Sequence, residues 1–386
     1  MAVATLPRVL VCPQEFKGSL TAVEAARAIA EGVSRALGPE AAVRELPLGD
    51  GGPGTVEACL QATDAERVTV EVRGPLGDSR AAVYALLRGP DGTSAVIESS
   101  AACGLVLVAP EDRRPGLGST FGVGELVADA LGRGARRIVV GVGGTGTNDG
   151  GAGAARALGL GLFDHAGGEI PAGVLGLGRL GRIDGAGVPP MLGEAELRVA
   201  VDVTNPLIGL EGATAIYGPQ KNVRDWELPA FDAALARWAE RIEADLGISL
   251  ADLPGAGAGG GLPVGLLAAA HAAGAEARIE SGAALVADLV GLRAAIAEAD
   301  LVVTGEGSID AQTAYGKTVA YVAGMAAELG RPCLAVGGIV DGQPDGVSDA
   351  EASTPPGMSV EQAMALGAEP VRAAAERLVR RFGLGG

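Results

Sequence analysis

Three of the 30 basic residues in this 386-residue chain are lysines, and the rest are arginines. Lys17, Lys221 and Lys317 each fall in short polar loop sequence: Glu15-Phe16-Lys17-Gly18-Ser19, Gly218-Pro219-Gln220-Lys221-Asn222 and Tyr315-Gly316-Lys317-Thr318. A lysine kept where arginine otherwise serves marks a need for a compact ammonium on a flexible stem instead of a planar fork. Asparagine is equally rare, and Asn148, Asn205 and Asn222 also lie in distinctive loops. Ammonium groups beside glycine-rich turns suit an anion, foremost phosphate.

Carboxylates share this placement. Asp50 precedes Gly51-Gly52, and Glu98 follows the apolar run 94–97. Asp149 lies in Gly143-Gly144-Thr145-Gly146-Thr147-Asn148-Asp149-Gly150-Gly151, and Asp202 opens Asp202-Val203-Thr204-Asn205-Pro206. Glu306 and Asp310 flank a turn that follows 300–304. Each loop ends a segment that reads as a buried strand. In parallel α/β sheets, ligands bind beyond the carboxyl ends of strands, where helix N-termini present N–H groups. Phosphoryl transfer needs cations and N–H groups for the phosphates, and carboxylates for Mg²⁺ and for the nucleophile's proton. Asp202 reads as functional, and one of Glu306 and Asp310 as a metal ligand. Asp50 reads equally well as a helix cap, and Asp149 as a turn residue, because Asn-Asp-Gly-Gly is good turn sequence.

Positioning such loops calls for an α/β fold. Hydrophobic residues make up 48% of the chain, aromatics only 3%, and there are 63 glycines. The core must therefore be Ala, Val and Leu, which suits α/β packing better than a sandwich rich in aromatics. The length exceeds the roughly 250–300 residues that one core fills, so two domains are expected. Residues 8–12 read as a strand, and Thr21 with Glu24 as a capping box opening a helix to about residue 37. A strand at 43–48 and a helix at 55–61 complete a βαβα start, typical of a parallel sheet with helices on both faces. Residues 67–72 and 81–87 alternate around Gly74-Pro75-Leu76-Gly77-Asp78 as an antiparallel hairpin, with a further strand at 94–97. Helices are expected at 122–131, 230–246 and 283–299, and strands at 137–142, 197–203, 300–304 and 333–336. The simplest topology joins 1–64 and 286–386 into one parallel-sheet domain, with 65–285 inserted as a mixed α/β domain.

A net charge of −17 argues against nucleic acid and anionic membrane as partners. No run reaches the roughly 18 apolar residues of a membrane span. Cys12, Cys59, Cys103 and Cys333 form no CxxC pair and read as reduced thiols, so a cytoplasmic protein is expected. His165 and His271 join no cluster, and neither zinc spacing nor a GxSxG elbow occurs. The stretch 141–146 fits GxGxxG, but so do 49–54, 176–181 and 255–260, and about two chance matches are expected at this glycine content. The stretch 311–318 fits a P-loop except that Ala311 replaces its first glycine.

Taken together, Phe16-Lys17-Gly18-Ser19-Leu20, Leu48-Gly49-Asp50-Gly51-Gly52, Thr147-Asn148-Asp149-Gly150-Gly151, Asp202-Val203-Thr204-Asn205-Pro206-Leu207, Tyr217-Gly218-Pro219-Gln220-Lys221 and Thr304-Gly305-Glu306-Gly307 resemble the signature segments of the bacterial glycerate kinase family. Asp310 and Lys317 extend the last of these. The resemblance implies a flavodoxin-like domain with an inserted one, and phosphorylation of D-glycerate by ATP, usually at the 2-hydroxyl, between the two domains. It departs from the family at Pro53, where Glu is usual, at Gly146, an Ala-like position, and at Gln14-Glu15, where Asp-Ser is common. In this reading Lys17 and Ser19 hold the substrate carboxylate, with Asn148 and Thr204 as further substrate contacts. Lys221 and the backbone of Gly143, Gly144, Thr145, Gly146 and Thr147 cradle nucleotide phosphates. Asp202 with Glu306 or Asp310 positions Mg²⁺, Asp149 or Asp50 accepts the hydroxyl proton, and Lys317 joins the catalytic set. An NAD-linked hydroxy-acid dehydrogenase, favoured only by GxGxxG, and a non-catalytic small-acid sensor are the alternatives.

Overall fold

The computed structural model describes residues 7–90, 92–310 and 318–383. The chain forms two compact units. The first comprises Met1–Asp50, Glu57–Asp64 and Ala283–Gly386, and the second Gly51–Val56 and Ala65–Gly282. In chain order the strands are β1 (Arg8–Val11), β2 (Ala42–Glu45), β3 (Glu66–Arg73), β4 (Ser79–Gly89), β5 (Gly92–Glu98), β6 (Ala135–Gly141), β7 (Gly161–Asp164), β8 (Leu180–Asp184), β9 (Glu196–Ala200), β10 (Glu276–Glu280), β11 (Leu301–Asp310), β12 (Cys333–Asp341) and β13 (Asp349–Ala352).

In the first unit the sheet order is β13-β12-β11-β1-β2, and every pairing is parallel. Counted along this unit alone, the order is 2-1-3-4-5, the flavodoxin-like doubly wound arrangement. Its switch point lies between β1 and β11, where Val9 pairs with Leu301 and Val11 with Val303. The three inner strands β1, β11 and β12 carry buried runs of Val and Leu, as two-sided parallel sheets require, while the edge strands β2 and β13 are not buried. The helix Ala22–Leu37 starts at the Thr21–Glu24 capping box foreseen from sequence. It packs on Ala368–Phe382, and Gly32 lets the two backbones approach: a Cβ there would lie 2.4 Å from the Arg372 carbonyl oxygen.

The second unit carries the mixed sheet β10-β9-β6-β5-β4-β3 and the small hairpin β7-β8. Strands β3, β4 and β5 run antiparallel, while β5, β6, β9 and β10 are parallel. The hairpin expected around Gly74–Gly77 is therefore β3–β4, and the α/β class expected from composition is the one observed. The helix expected at 283–299 is two helices, Gly282–Leu289 and Leu292–Glu298, parted at Gly291 with φ 68°. A residue with a side chain resists that left-handed conformation, so the glycine ends the first helix. The apolar run after Pro263 is the buried body of Ala258–Ala273, and no helix among the described residues is long and apolar enough to cross a membrane.

Candidate functional site

Beyond the carboxyl ends of the first unit's strands lies a cavity of about 420 Å³. The chain leaving β1 forms a tight turn in which Phe16 and Leu20 exchange backbone hydrogen bonds of 2.8 and 3.0 Å. Gly18, with φ 77°, makes the turn possible. Phe16 and Leu20 anchor it in the core, which leaves Lys17 exposed at its tip and Ser19 half-buried on the cavity wall. Gln14 lies just before the turn, held by a 2.8 Å bond from its N–H to the Gly305 carbonyl. Its side-chain amide donates to Asp50 Oδ2 at 2.5 Å. Position 14, where the resemblance is imperfect, thus orients a carboxylate. From β11 come Glu306, which is buried, and Gly307 and Ser308. Glu15, Asp50 and Glu306 all line this cavity, as does Lys17. Burial raises the Glu15 pKa, and Asp50 raises it further against the opposing pull of Lys17.

The second unit has its own cluster of signature loops. After β6 the chain runs through Gly143–Gly151 and enters the short helix Ala152–Ala157 only after Asp149-Gly150-Gly151. No helix follows the GxGxxG match directly, so the geometry of a Rossmann phosphate loop is not formed. Asp149 is fully buried. Its carboxylate accepts from Thr120 N at 2.8 Å, Thr120 Oγ1 at 3.0 Å, Gly151 N at 3.2 Å and Gly153 N at 3.1 Å. Burial raises its pKa while these bonds oppose the rise. That is the work of a helix and turn organiser, and both oxygens are already engaged. Asn148 is also fully buried and donates from Nδ2 to Thr214 Oγ1 at 2.9 Å.

Lys221 departs furthest from the expectation of a loop cation. It is 2% exposed, and its Nζ donates to the Thr147 carbonyl at 2.6 Å. Desolvation brings its pKa down to about 8, against smaller opposing effects of Cys103 and Asp149. The ammonium fits because residue 260 is glycine: a Cβ there would stand 2.9 Å from Nζ and 2.1 Å from the Thr147 oxygen. Gly259, Gly260 and Gly261 all have positive φ, and Gly150 N bonds to the Gly260 carbonyl at 2.9 Å. The glycine run 255–261, which counts as a chance motif match in sequence, is the bed on which the 143–151 loop rests.

Asp202 lies exposed past β9. Its Oδ1 accepts from Gly282 N at 3.0 Å and Ser281 Oγ at 3.2 Å, at the start of the helix Gly282–Leu289. Thr204 is exposed nearby in the same loop. Glu98, at the end of β5, accepts from Val56 N at 2.6 Å and so fixes the start of the helix Thr55–Ala62. Lys317 lies outside the described residues, and Asp310 is described only as backbone of β11. Of the predicted residues, the first unit brings Lys17, Ser19, Asp50 and Glu306 to one cavity, while the second gathers Gly143–Asp149 and Lys221 into a packed loop. Sequence reasoning passed over Gln14 as an orienting group, Thr120 as the partner of Asp149, and Ser281. None of these carries a local signature, since each is defined by a partner at least 29 residues away.

The model of the Glycerate kinase family matches residues 9–383. This chain belongs to the glycerate kinase family. Membership makes it an enzyme, a phosphotransferase. A glycerate kinase of Halalkalibacterium halodurans is 42% identical over 376 residues, covering 96% of this chain and 97% of its own. The Escherichia coli K12 protein named glycerate 2-kinase is 41% identical over 331 residues, covering 86% and 85%. A crystal structure from Salmonella typhimurium LT2, described as glycerate kinase 2, superposes with a TM-score of 0.84 at 40% identity and covers 98% of both chains.

Proposed function

We propose that this enzyme transfers the γ-phosphoryl group of ATP to the 2-hydroxyl of D-glycerate. The observation that carries the reading is the switch-point cavity, which sets an ammonium and a hydroxyl, Lys17 and Ser19, beside the carboxylates Glu15, Asp50 and Glu306. Lys17 and Ser19 hold the substrate carboxylate. Asp50, oriented by Gln14, accepts the hydroxyl proton. It is preferred to Asp149 because Asp50 lines the cavity whereas Asp149 is fully buried. The choice of the 2-hydroxyl is supported by the name of the Escherichia coli relative. The loop around Gly143–Thr147 remains a candidate for phosphate contacts through backbone N–H groups, with Thr204 as a further substrate contact. Lys221 and Asn148, both facing inward, shape that loop instead of touching ligand.

Mg²⁺ fits the donor chemistry of the cavity. It binds through one or two carboxylates plus substrate phosphates, and Glu306 and Asp50 supply hard oxygen donors. Glu306 is the proposed ligand in the first unit. When bound, the ion neutralises charge on the phosphates. ¹H–³¹P correlation NMR on the product formed from D-glycerate and Mg-ATP tests the whole reading. A phosphorus coupled to the C2 proton is expected; coupling to the C3 protons makes the enzyme a 3-kinase, and no product removes the proposal. Excess EDTA is expected to abolish turnover and added Mg²⁺ to restore it, and full activity in EDTA removes the metal.

A further inference from the structure

The cavity of the first unit is too large and too apolar for a three-carbon acid alone. Pockets that take drug-sized ligands span about 300–1,000 Å³ and are lined mainly by apolar groups, with a few placed polar ones. At about 420 Å³ this cavity falls in that range. Its polar groups are concentrated on the segments that follow β1 and β2 and on β11 itself. The opposite character comes from the C-terminal segment, where Val360, Ala363 and Met364 of the helix Val360–Ala365 line the cavity together with Phe16. Met364 reaches over the lysine turn, since a Cβ on Gly18 would lie 3.0 Å from its Cε. Ser353 and Thr354, just past β13, also line the cavity. A cavity at the switch point of a parallel sheet that combines apolar side chains with Ser and Thr suits a flat heteroaromatic ring with polar edges.

We propose that the wall formed by Phe16, Val360, Ala363 and Met364 receives the adenine ring of the nucleotide. The inference rests on the ATP-dependent reading above and adds where the base sits.

Isothermal titration of the whole enzyme with ADP, alongside steady-state kinetics, tests this. Val360→Asp sets a carboxylate against the base and the polyphosphate. It lies in the first turn of a helix, where an acidic residue is compatible with folding. Met364→Ala removes half-buried contact area without adding charge and serves as the second variant. Both are expected to weaken ADP binding, Val360→Asp by at least tenfold, while the KM for D-glycerate stays within about twofold. Unchanged ADP affinity in a variant that melts normally overturns the proposal. So does a rise confined to the KM for D-glycerate, which would give the wall to the acid. ADP titration needs no turnover, so a wild-type enzyme that fails to phosphorylate D-glycerate, the failure of the previous reading, is told apart from a misplaced adenine site.

Discussion

Replacing Lys221 by Met tests whether a charged lysine is held inside the second unit. The pKa falls from 10.5 to about 8 on folding, a drop of 10.5 − 8 = 2.5 units, which at 1.36 kcal/mol per unit is about 3 kcal/mol. Because the folded value is the lower one, the native state releases its proton first as pH rises. Between pH 8 and 10.5 the unfolded chain therefore binds more protons, and stability contributed by this group rises with pH. At pH 7 the wild type carries the full cost of a buried charge, partly offset by the bond to the Thr147 carbonyl. The Met variant escapes that cost but leaves the carbonyl unpaired, a loss of about 1–3 kcal/mol. At pH 10 the wild-type lysine is largely neutral in the fold and still donates to the carbonyl. The stability advantage of wild type over Lys221→Met should thus grow by about 3 kcal/mol across this range, most of it by pH 10. Burial raises the pKa of all four cysteines, which acts in the opposite direction above pH 9; it does so alike in both proteins for Cys12, Cys59 and Cys333, while Cys103, whose thiol Lys221 pulls down, is raised further in the variant and slightly enlarges the expected difference. Urea unfolding at pH 7 and pH 10 gives the difference directly. The fluorescence of Trp238 is a local reporter, being fully buried with its indole N–H bonded to the Gly150 carbonyl at 2.9 Å. A wild-type minus variant difference that does not move with pH would refute the reasoning.

Gly260→Ala should destabilise the second unit by more than about 3 kcal/mol, since its Cβ overlaps the Thr147 oxygen at φ 76°; a loss below 1 kcal/mol in urea melts would show that the loop has room. Asp202→Asn keeps an acceptor for Gly282 N, and Asn caps as well as Asp, so stability should change by under about 0.5 kcal/mol while kcat falls at least tenfold; normal turnover would leave Asp202 as a cap alone. Lys17→Arg should raise the KM for D-glycerate about tenfold with an unchanged melting temperature, because Lys17 is exposed at a turn tip; wild-type kinetics would reduce the rarity of lysine there to composition. Lys221→Arg, by contrast, should lower the melting temperature, which corrects the sequence-based picture of three solvent-facing lysines: the larger guanidinium has Gly260 against it.

What was legible in the sequence was what local spacing encodes. Thr21 and Glu24 announce their capping box, Gly74–Gly77 announces the β3–β4 hairpin, and the apolar runs ending at Cys12 and Thr304 announce two neighbouring strands of one parallel sheet. The loops carrying Lys17 and Asp50 were assigned to strand ends for the same reason, and both line the first unit's cavity; Glu306, expected in a turn after 300–304, instead lies within β11, which runs on to Asp310 and carries it to the same cavity. Depth was not legible. Gly218-Pro219-Gln220-Lys221-Asn222 is good surface-turn sequence, and nothing within it reveals that three glycines some forty residues later leave space for an ammonium. Asp149 likewise looks like a reactive carboxylate until Thr120 closes over it. A lone glycine at 291 inside an otherwise helical pattern was a visible signal, and its weight was underestimated.

The parallel sheet of the first unit also imposes an order on the birth of the molecule. Strand β1 pairs on one side with β2 and on the other with β11, and Arg8 bonds to Asp300 across 292 residues. A ribosome adding about 5–20 residues per second takes roughly 15–60 s to span that distance. For most of that time Val9, Leu10 and Val11 are outside the tunnel while their β11 partners do not yet exist. The second unit, wholly encoded between those partners, can close its own core in the interval. The helix Ala22–Leu37 waits longer still, for Ala368–Phe382, the helix it packs against at Gly32. The first residues made are among the last to find their place, and a nascent chain stalled before residue 301 carries an apolar strand edge that only a chaperone or a wrong partner can cover.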